Sequence, residues 1–149
     1  MLLGTGVYTA KRVIKLIEAI CRTFLRTGQG EVSTKALVAW ERACRPRSVG
    51  GLNIIDLETW SKSAILKHLW ALTEKKDVLW IKWVHLFYIK NRTVDEVPIP
   101  KAPAWIVRKI IESRKYFVQQ IHQGSFSQWI QKMVKGDKFR ITMAYKEMQ

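Results

Sequence analysis

The chain has 149 residues, of which 48% are hydrophobic and seven are tryptophan, so its composition is that of a folded domain and excludes a disordered tail. Its 26 basic and 12 acidic side chains leave a formal net charge of +14, which favours a polyanionic partner over the balanced surface of an ordinary soluble enzyme. Cys21 and Cys44 are too few for a disulfide framework, and we expect them to be buried free thiols of an intracellular protein.

The positive charge is divided between two segments. Residues 11–47 have a net charge of +6 and residues 101–140 a net charge of +7, whereas residues 48–100 have only +1. We therefore expect the two basic segments to contact phosphates, with an anionic membrane or a generic basic surface as the alternatives. The densest apolar run, residues 78–89, is too short for a bilayer, which needs about 20 residues. We expect no membrane partner and a location in the nucleus or cytoplasm.

Hydrophobic periodicity predicts a mainly α fold with four to five helices. The first is an amphipathic helix over residues 9–25, for which Thr9 is the expected N-cap and Gly28 and Gly30 are the expected stop. Residues 57–73 form the next predicted helix, and Asp56 precedes it as a capping residue.

Residues 78–90 are predicted to form the central helix of the fold. Apolar side chains occupy nearly every position there, which is typical of a helix buried on all sides. Asp77 is its expected cap. Trp80, Trp83 and Phe87 are its expected anchors, because burial of one large aromatic side chain contributes about 2–3 kcal/mol.

A proline-rich linker separates this helix from the last third of the chain. Residues 91–103 contain three of the four prolines. A long helix is predicted from Pro103 to about His122, followed by a short one within residues 125–134.

Two segments leave the choice between strand and helix open. A short β element is expected near residues 36–54 or near residues 139–145, and the second segment could equally begin another helix. We expect a single domain, residues 1–149, with a weak subdivision at the linker of residues 91–103.

Side chains that would support catalysis are scattered along the chain. Asp56, Asp77, Asp95 and Asp137 are isolated from one another, so they do not form the carboxylate cluster that two-metal chemistry needs. The cysteines and histidines lack the short spacing of a zinc site. We therefore expect no enzyme activity, no cofactor and no metal.

The candidate nucleic-acid-binding side chains are basic residues of the two charged segments. An apolar stretch with Trp40 leads into three arginines, and a proline and two glycines turn the chain back into a second apolar stretch. Most tryptophans are expected in the core, and Trp105 and Trp129 are the two most open to base stacking. The predicted binding set is Lys11, Arg12, Lys15, Arg42, Arg45, Arg47, Arg108, Lys109 and Lys115.

Several segments in a fixed order resemble a known family. They are Phe24-Leu25, residues 35–46 (KALVAWERACRP), residues 50–54 (GGLNI), residues 64–67 (AILK) with Leu69-Trp70, residues 79–85 (LWIKWVH) with residues 88–90 (YIK), and residues 105–110 (WIVRKI). Together they make the chain similar to the region that follows the catalytic core in plant LINE-type (non-LTR) retrotransposon reverse transcriptases. The resemblance covers about residues 10–115, and its most specific parts are Trp-Glu-x-x-Cys-x-Pro and Gly-Gly-Leu.

The resemblance implies a thumb and linker, which lie between the palm and a zinc-binding region and help to grip template RNA and primer duplex. By position it places Arg42, Arg45 and Arg47 in the linker after the thumb helix. These 149 residues match none of the palm, zinc-binding, endonuclease and ribonuclease H regions, and Arg26 stands where the family commonly has Trp, so we do not expect reverse transcription.

We expect a fragment, or a gene derived from one, that binds RNA or an RNA–DNA hybrid without catalysis. One alternative is a protein-interaction module whose partner covers an exposed apolar surface. The other is a retroelement relic with no selected function.

Overall fold

A computed structural model describes residues 3–29, 39–101, 105–118 and 124–149. The chain divides into two compact units, Met1–Glu58 (unit 1) and Thr59–Gln149 (unit 2). The described residues are mostly helical and contain one small sheet of two strands, which confirms the mainly α prediction.

More helical segments are present in the described residues than the four to five predicted, because several are only one or two turns long. In chain order the elements are α1 (Leu3–Thr27), α2 (Trp40–Cys44), α3 (Leu57–Thr73), α4 (Leu79–Val84), α5 (Trp105–Glu112), α6 (Lys115–Val118), α7 (Phe126–Gln131), β1 (Val134–Lys135), β2 (Lys138–Phe139) and α8 (Ile141–Met148). A 3-10 turn covers Arg47–Val49, and α4 continues as a π-helical turn over His85–Ile89.

Helix α1 is longer than predicted. It begins at Leu3, so Thr9 lies inside the helix and its assignment as N-cap was wrong. The glycines at positions 4 and 6 have low helix propensity, and for this reason the sequence favoured a helix that starts after them. The predicted end is confirmed, because Gly28 has φ +70° and its N–H donates to the carbonyl of Phe24 at 2.8 Å.

Unit 1 contains a buried thiol at the end of α2. Ala43 and Cys44 are buried, and burial together with the nearby carboxylates of Asp56 and Glu18 raises the pKa of the Cys44 thiol to about 11. Both cysteines are free thiols, as predicted, but Cys21 is only half-buried.

Glu18 joins the middle of α1 to the start of α2 and to the residue before α3. Burial raises its pKa, and the negative charge of Asp56 raises it further, whereas the charge of Arg22 and the side chain of Trp40 act in the opposite direction. The fold of unit 1 therefore places Glu18 where its charged form is disfavoured, and the charge of Arg22 offsets this only in part.

Helix α3 has the predicted bounds, and it supplies one wall of the core of unit 2. The carboxylate of Asp56 accepts a hydrogen bond from the N–H of Glu58 at 3.3 Å, which is the predicted cap. The buried core of unit 2 comes from α3, α4 with its π-helical turn, the loop after that turn, α5, α7 with the turn that follows it, β2 and α8. Its members are Leu66, Leu69, Trp70, Leu72, Ile81, Val84, Ile89, Val94, Val97, Val107, Ile110, Ile111, Phe126, Trp129, Ile130, Met133, Phe139 and Ala144.

The segment over residues 78–90 is buried on one face only, so the prediction of an enclosed central helix was wrong. Ile81 and Val84 are buried, but Trp83 is 43% exposed and Phe87 is 57% exposed, and neither anchors the core as predicted. Trp80 is half-buried. Because apolar residues occur on every face of this segment, its sequence could not indicate which face would meet the core.

Asp77 does not cap α4 as predicted. Val78 is the N-cap residue and makes no capping hydrogen bond with its side chain. The carboxylate of Asp77 instead forms an ion pair with the ammonium group of Lys82.

The predicted long helix from Pro103 to His122 is interrupted. Both of its predicted ends lie outside the described residues. The described part divides into α5 and α6 at Ser113 and Arg114, so a continuous helix was wrong. The hydroxyl of Ser113 donates to the carbonyl of Ile110, and this local bond ends the first segment.

Arg114 connects this helix break to the loop after α4. Its Nη1 donates to the carbonyls of Val94 at 3.2 Å and Asp95 at 3.1 Å, and also to that of Val97. Val94 and Val97 are buried. The described part of the predicted linker, residues 91–101, is therefore a packed part of unit 2.

The last predicted elements are confirmed in type. Helix α7 begins at a capping box, in which the hydroxyl of Ser125 accepts from the N–H of Gln128 and the Gln128 side chain accepts from the N–H of Ser125. The segment over residues 139–145 contains both alternatives, because Phe139 ends β2 and Ile141 begins α8. Residues 39–54 contain α2 and the 3-10 turn instead of a strand.

Candidate nucleic-acid interface

Three of the predicted binding residues lie on one loop, residues 42–53, which we call the arginine loop. Backbone hydrogen bonds close it. The N–H of Leu52 donates to the carbonyl of Ala43, and the N–H of Asn53 donates to the carbonyl of Arg45, both at 2.9 Å. Because the backbone groups bond to one another, the loop has a defined shape that does not use its arginine side chains.

Two adjacent glycines permit this closure for different reasons. Gly50 has φ +82°, a conformation that residues with a side chain rarely adopt. At Gly51, a Cβ atom would lie 1.9 Å from the carbonyl oxygen of Arg45, so only glycine fits without moving the backbone. Asn53 has φ +57°, which asparagine tolerates better than most residues.

The arginine loop presents three exposed guanidinium groups. Arg42 is in the last turn of α2, where the helix dipole favours a cation, and Arg45 and Arg47 follow on the loop. Among the residues that the structure describes, no carboxylate forms an ion pair with these three side chains. The N–H groups of these guanidinium groups are therefore available to bind an external anion such as a phosphate.

Helix α1 presents the other predicted cations of unit 1. Lys11, Arg12 and Lys15 are exposed. Lys11 and Lys15 are four residues apart and share one face of the helix. Within the described ranges, neither an aspartate nor a glutamate pairs with any of the three.

The two predicted cations on α5 share one carboxylate. Arg108 Nε donates to Glu112 Oε1 at 2.8 Å, and Lys109 Nζ donates to Glu112 Oε2 at 3.1 Å. Burial alone would raise the pKa of Glu112, but the hydrogen bonds and charges of Arg108 and Lys109 outweigh it and lower that pKa below its ordinary value. These two side chains are therefore less available to phosphate than the arginine-loop cations.

Lys115 and the two tryptophans singled out for stacking have different surroundings. The Lys115 ammonium lies 5.6 Å from the centroid of the Tyr116 ring, within cation–π range, and remains exposed. Trp129 is only 3% exposed and belongs to the core, so it does not stack on a base. Trp105 is 40% exposed.

The predicted set is divided between the two units, and unit 2 has further exposed lysines that the sequence did not indicate. Six predicted residues belong to unit 1, and Arg108, Lys109 and Lys115 belong to unit 2. Unit 2 also gathers lysines around one surface cavity, among them Lys75 and Lys90. The near-neutral net charge of residues 48–100 concealed them, because six acidic residues offset the seven basic residues of that segment.

Other functional chemistry has little support in the described ranges. No group of three His, Cys, Asp or Glu side chains there could hold a metal ion. His85 has a structural role, because its Nε2 lies 2.8 Å from the carbonyl of Leu72 and must donate to it. None of the helices in this part of the chain has the length and apolar character needed to cross a membrane.

Comparison with known proteins finds a partial likeness. A stretch of 68 residues, or 46% of this chain, is 29% identical to a protein of Arabidopsis thaliana described as "Putative ribonuclease H protein". The chain covers 11% of the length of that protein. No protein-family model matches the chain, and no solved structure matches it. The likeness therefore concerns a small part of a much longer protein.

Substitution of Gly51 tests the closure of the arginine loop. Gly51→Ala should lower the free energy of unfolding by about 1–3 kcal/mol, because the new methyl group must displace the Arg45 carbonyl. Urea denaturation measures this. Val49→Ala is the control, since Val49 is 64% exposed on the same loop and its truncation should cost less than about 0.5 kcal/mol. Equal losses in the two variants would contradict the proposed close contact.

Substitution of Glu112 tests its pairing with two cations. Its pKa is lowered in the folded protein, so its stabilising effect is present at neutral pH and is lost as pH falls through that lowered pKa. Glu112→Gln should cost about 0.5–1 kcal/mol at pH 7. The difference from wild type should shrink in urea denaturation at acid pH. A difference that stays constant across that range would show that the charge has no part in it.

Proposed function

We propose that this protein is a non-catalytic, nucleic-acid-binding remnant of a plant LINE-type reverse transcriptase, and that it binds RNA or an RNA–DNA hybrid in the nucleus or cytoplasm. The arginine loop carries the proposal. Arg42, Arg45 and Arg47 are exposed on a loop of fixed backbone, and among the described residues no carboxylate pairs with them. A guanidinium group donates two parallel hydrogen bonds to a phosphate, which suits this arrangement.

The likeness to a known protein supports the proposed origin. The description of the Arabidopsis relative names a ribonuclease, an enzyme that acts on RNA. The segments that resemble the LINE-type family include both sides of the arginine loop, Trp40 to Pro46 and Gly50 to Ile54. Because this chain covers only 11% of the length of the relative, we do not propose ribonuclease activity for it.

The assigned side chains suit phosphate binding and not catalysis. The side chains we assign are arginines and lysines that are cationic at neutral pH, and they include no pair of carboxylates. Contacts to the phosphate backbone fix position but do not read sequence, so we expect binding with little sequence preference.

Neutralisation of two loop arginines tests the proposed site. Arg45→Ala/Arg47→Ala should weaken binding to a fluorescein-labelled RNA–DNA hybrid by about 5- to 150-fold, because two phosphate contacts are lost. The slope of log affinity against log salt should become less steep by about 1.8. Fluorescence anisotropy titrations at several salt concentrations measure both quantities.

A control variant with the same loss of charge distinguishes the loss of specific arginine contacts from the effect of a lower net charge. Lys135 and Lys146 are exposed in unit 2 and outside the predicted binding set. Lys135→Ala/Lys146→Ala should bind within about twofold of wild type. If the arginine variant binds as tightly as this control, the arginine loop is not the binding site.

A row of exposed apolar side chains on α1 favours a second candidate, a protein-interaction module. Val13, Ile17, Ile20 and Phe24 recur at helical spacing, and Phe24 is 58% exposed. Lys11 and its neighbours occupy the opposite face of the helix. An apolar row of this kind commonly marks a contact surface for another protein.

Size-exclusion chromatography with light scattering tests this second candidate. If α1 docks on another copy of the chain, wild type should have a mass above the 17.4 kDa of one chain. Ile17→Ser/Phe24→Ser should reduce the mass to that of a monomer, because it removes apolar area from the row. A monomeric wild type at high concentration would contradict self-association through α1.

A further inference from the structure

Two surface cavities of unit 2 adjoin each other. One has a volume of about 600 Å³ and is lined by residues that include Lys75 and Lys76. The other has a volume of about 560 Å³ and includes Lys101. Lys90 and Asn91 line both, so the two cavities adjoin at these residues. We call the two cavities together the lysine groove, and their basic side chains are Lys75, Lys76, Lys82, Lys90, Arg92 and Lys101.

The lysine groove is strongly cationic. Its described lining contains no aspartate or glutamate. Lys82 pairs with Asp77, but these side chains are 66% and 87% exposed, so the pair is weak and a phosphate could replace the carboxylate. The Lys76 ammonium lies 4.5 Å from the centroid of the Trp70 ring, which holds it in place without neutralising it.

Two lysines of the groove have backbone conformations that favour glycine. Lys75 has φ +48° and Lys90 has φ +55°, and Lys90 follows directly after the π-helical turn of residues 85–89. Strained residues and π-turns occur often at functional sites, because a needed side chain must then be kept at a costly position. Glycine would relieve the strain at both positions but would remove both charges.

An exposed aromatic ring lies beside these cations. Phe87 lines the second cavity and is 57% exposed. The centroid of its ring lies 5.5 Å from that of Trp83, which supports it from one side. Exposed rings next to a cationic groove bind single strands, because unpaired bases stack on the ring while lysines contact the phosphates.

We propose that the lysine groove binds a single strand of RNA, with phosphates along Lys75 and Lys90 and a base stacked on Phe87. This inference rests on the proposed function, and it adds a second site to the same activity. Paired bases in a duplex cannot reach Phe87, so single strands bind the groove more tightly than duplexes do.

Glycine substitution at the two strained lysines separates charge from folding. Lys75→Gly/Lys90→Gly should raise the urea midpoint of unfolding, because the positive φ angles no longer carry strain. Its affinity for labelled oligouridylate of about ten nucleotides should fall about tenfold, with a salt slope lower by about 1.4. A more stable variant that binds as wild type would overturn the proposal.

Substitution of Phe87 tests base stacking. Phe87→Ala should weaken binding of the oligouridylate, and of oligothymidylate as the DNA counterpart, by about 5- to 150-fold. It should leave inorganic polyphosphate binding unchanged, because that polymer has no bases. Leu79→Ala is the control, since Leu79 at the start of α4 is 83% exposed, has no ring and lines neither cavity. Equal losses for oligouridylate and polyphosphate, or unchanged binding of oligouridylate, would overturn the stacking role.

The same probes distinguish failure of this inference from failure of the proposed function. If wild type binds neither the hybrid nor the oligouridylate, both proposals fail. If the arginine-loop variant loses hybrid binding while both groove variants bind oligouridylate as wild type, the lysine groove is wrong and the proposed function stands. Loss of oligouridylate binding in the groove variants, with hybrid binding kept, supports the groove as a separate site.

Discussion

An excess of positive charge determines the character of this protein's surface, because most of the cations have no acid with which to pair. With 26 basic and 12 acidic side chains, the chain cannot pair each of its cations with an acid of its own. Glu112 pairs with two cations at once, whereas among the described residues Asp77 is the only acid that forms an ion pair with a cation of the arginine loop or the lysine groove. In both places, backbone geometry that glycine favours holds the cations. A Cβ at Gly51 would collide with the Arg45 carbonyl, and Lys90 has a positive φ.

Features set by local physics could be predicted from the sequence. Helix α3 has its predicted bounds because an apolar stripe and the Asp56 cap both depend on residues close in sequence. The position of the arginine loop was predictable for the same reason, since a proline and two adjacent glycines interrupt the helical pattern. The exposure of Arg42, Arg45 and Arg47 followed from charge.

Features set by contacts between distant residues could not be predicted. The apolar segment after Asp77 has no polar face to indicate its orientation, so Phe87 was expected in the core and lies exposed. Arg114 binds the carbonyls of Val94 and Asp95, a contact that no sequence pattern indicates. The lysine groove was missed because Lys75 and Lys90 line one cavity only in the folded chain. Their segment of the sequence also has a net charge close to zero.

The salt dependence of RNA binding by the unmodified protein tests the central claim most directly, which is that unpaired cations grip a polynucleotide backbone. Fluorescence anisotropy would follow binding of a labelled RNA between about 50 and 200 mM salt. Our account predicts detectable binding at the lower concentration and a fall of at least about tenfold at the higher one, because each phosphate contact releases a counterion. Undetectable binding in dilute buffer, or an affinity that does not change with salt, would contradict it.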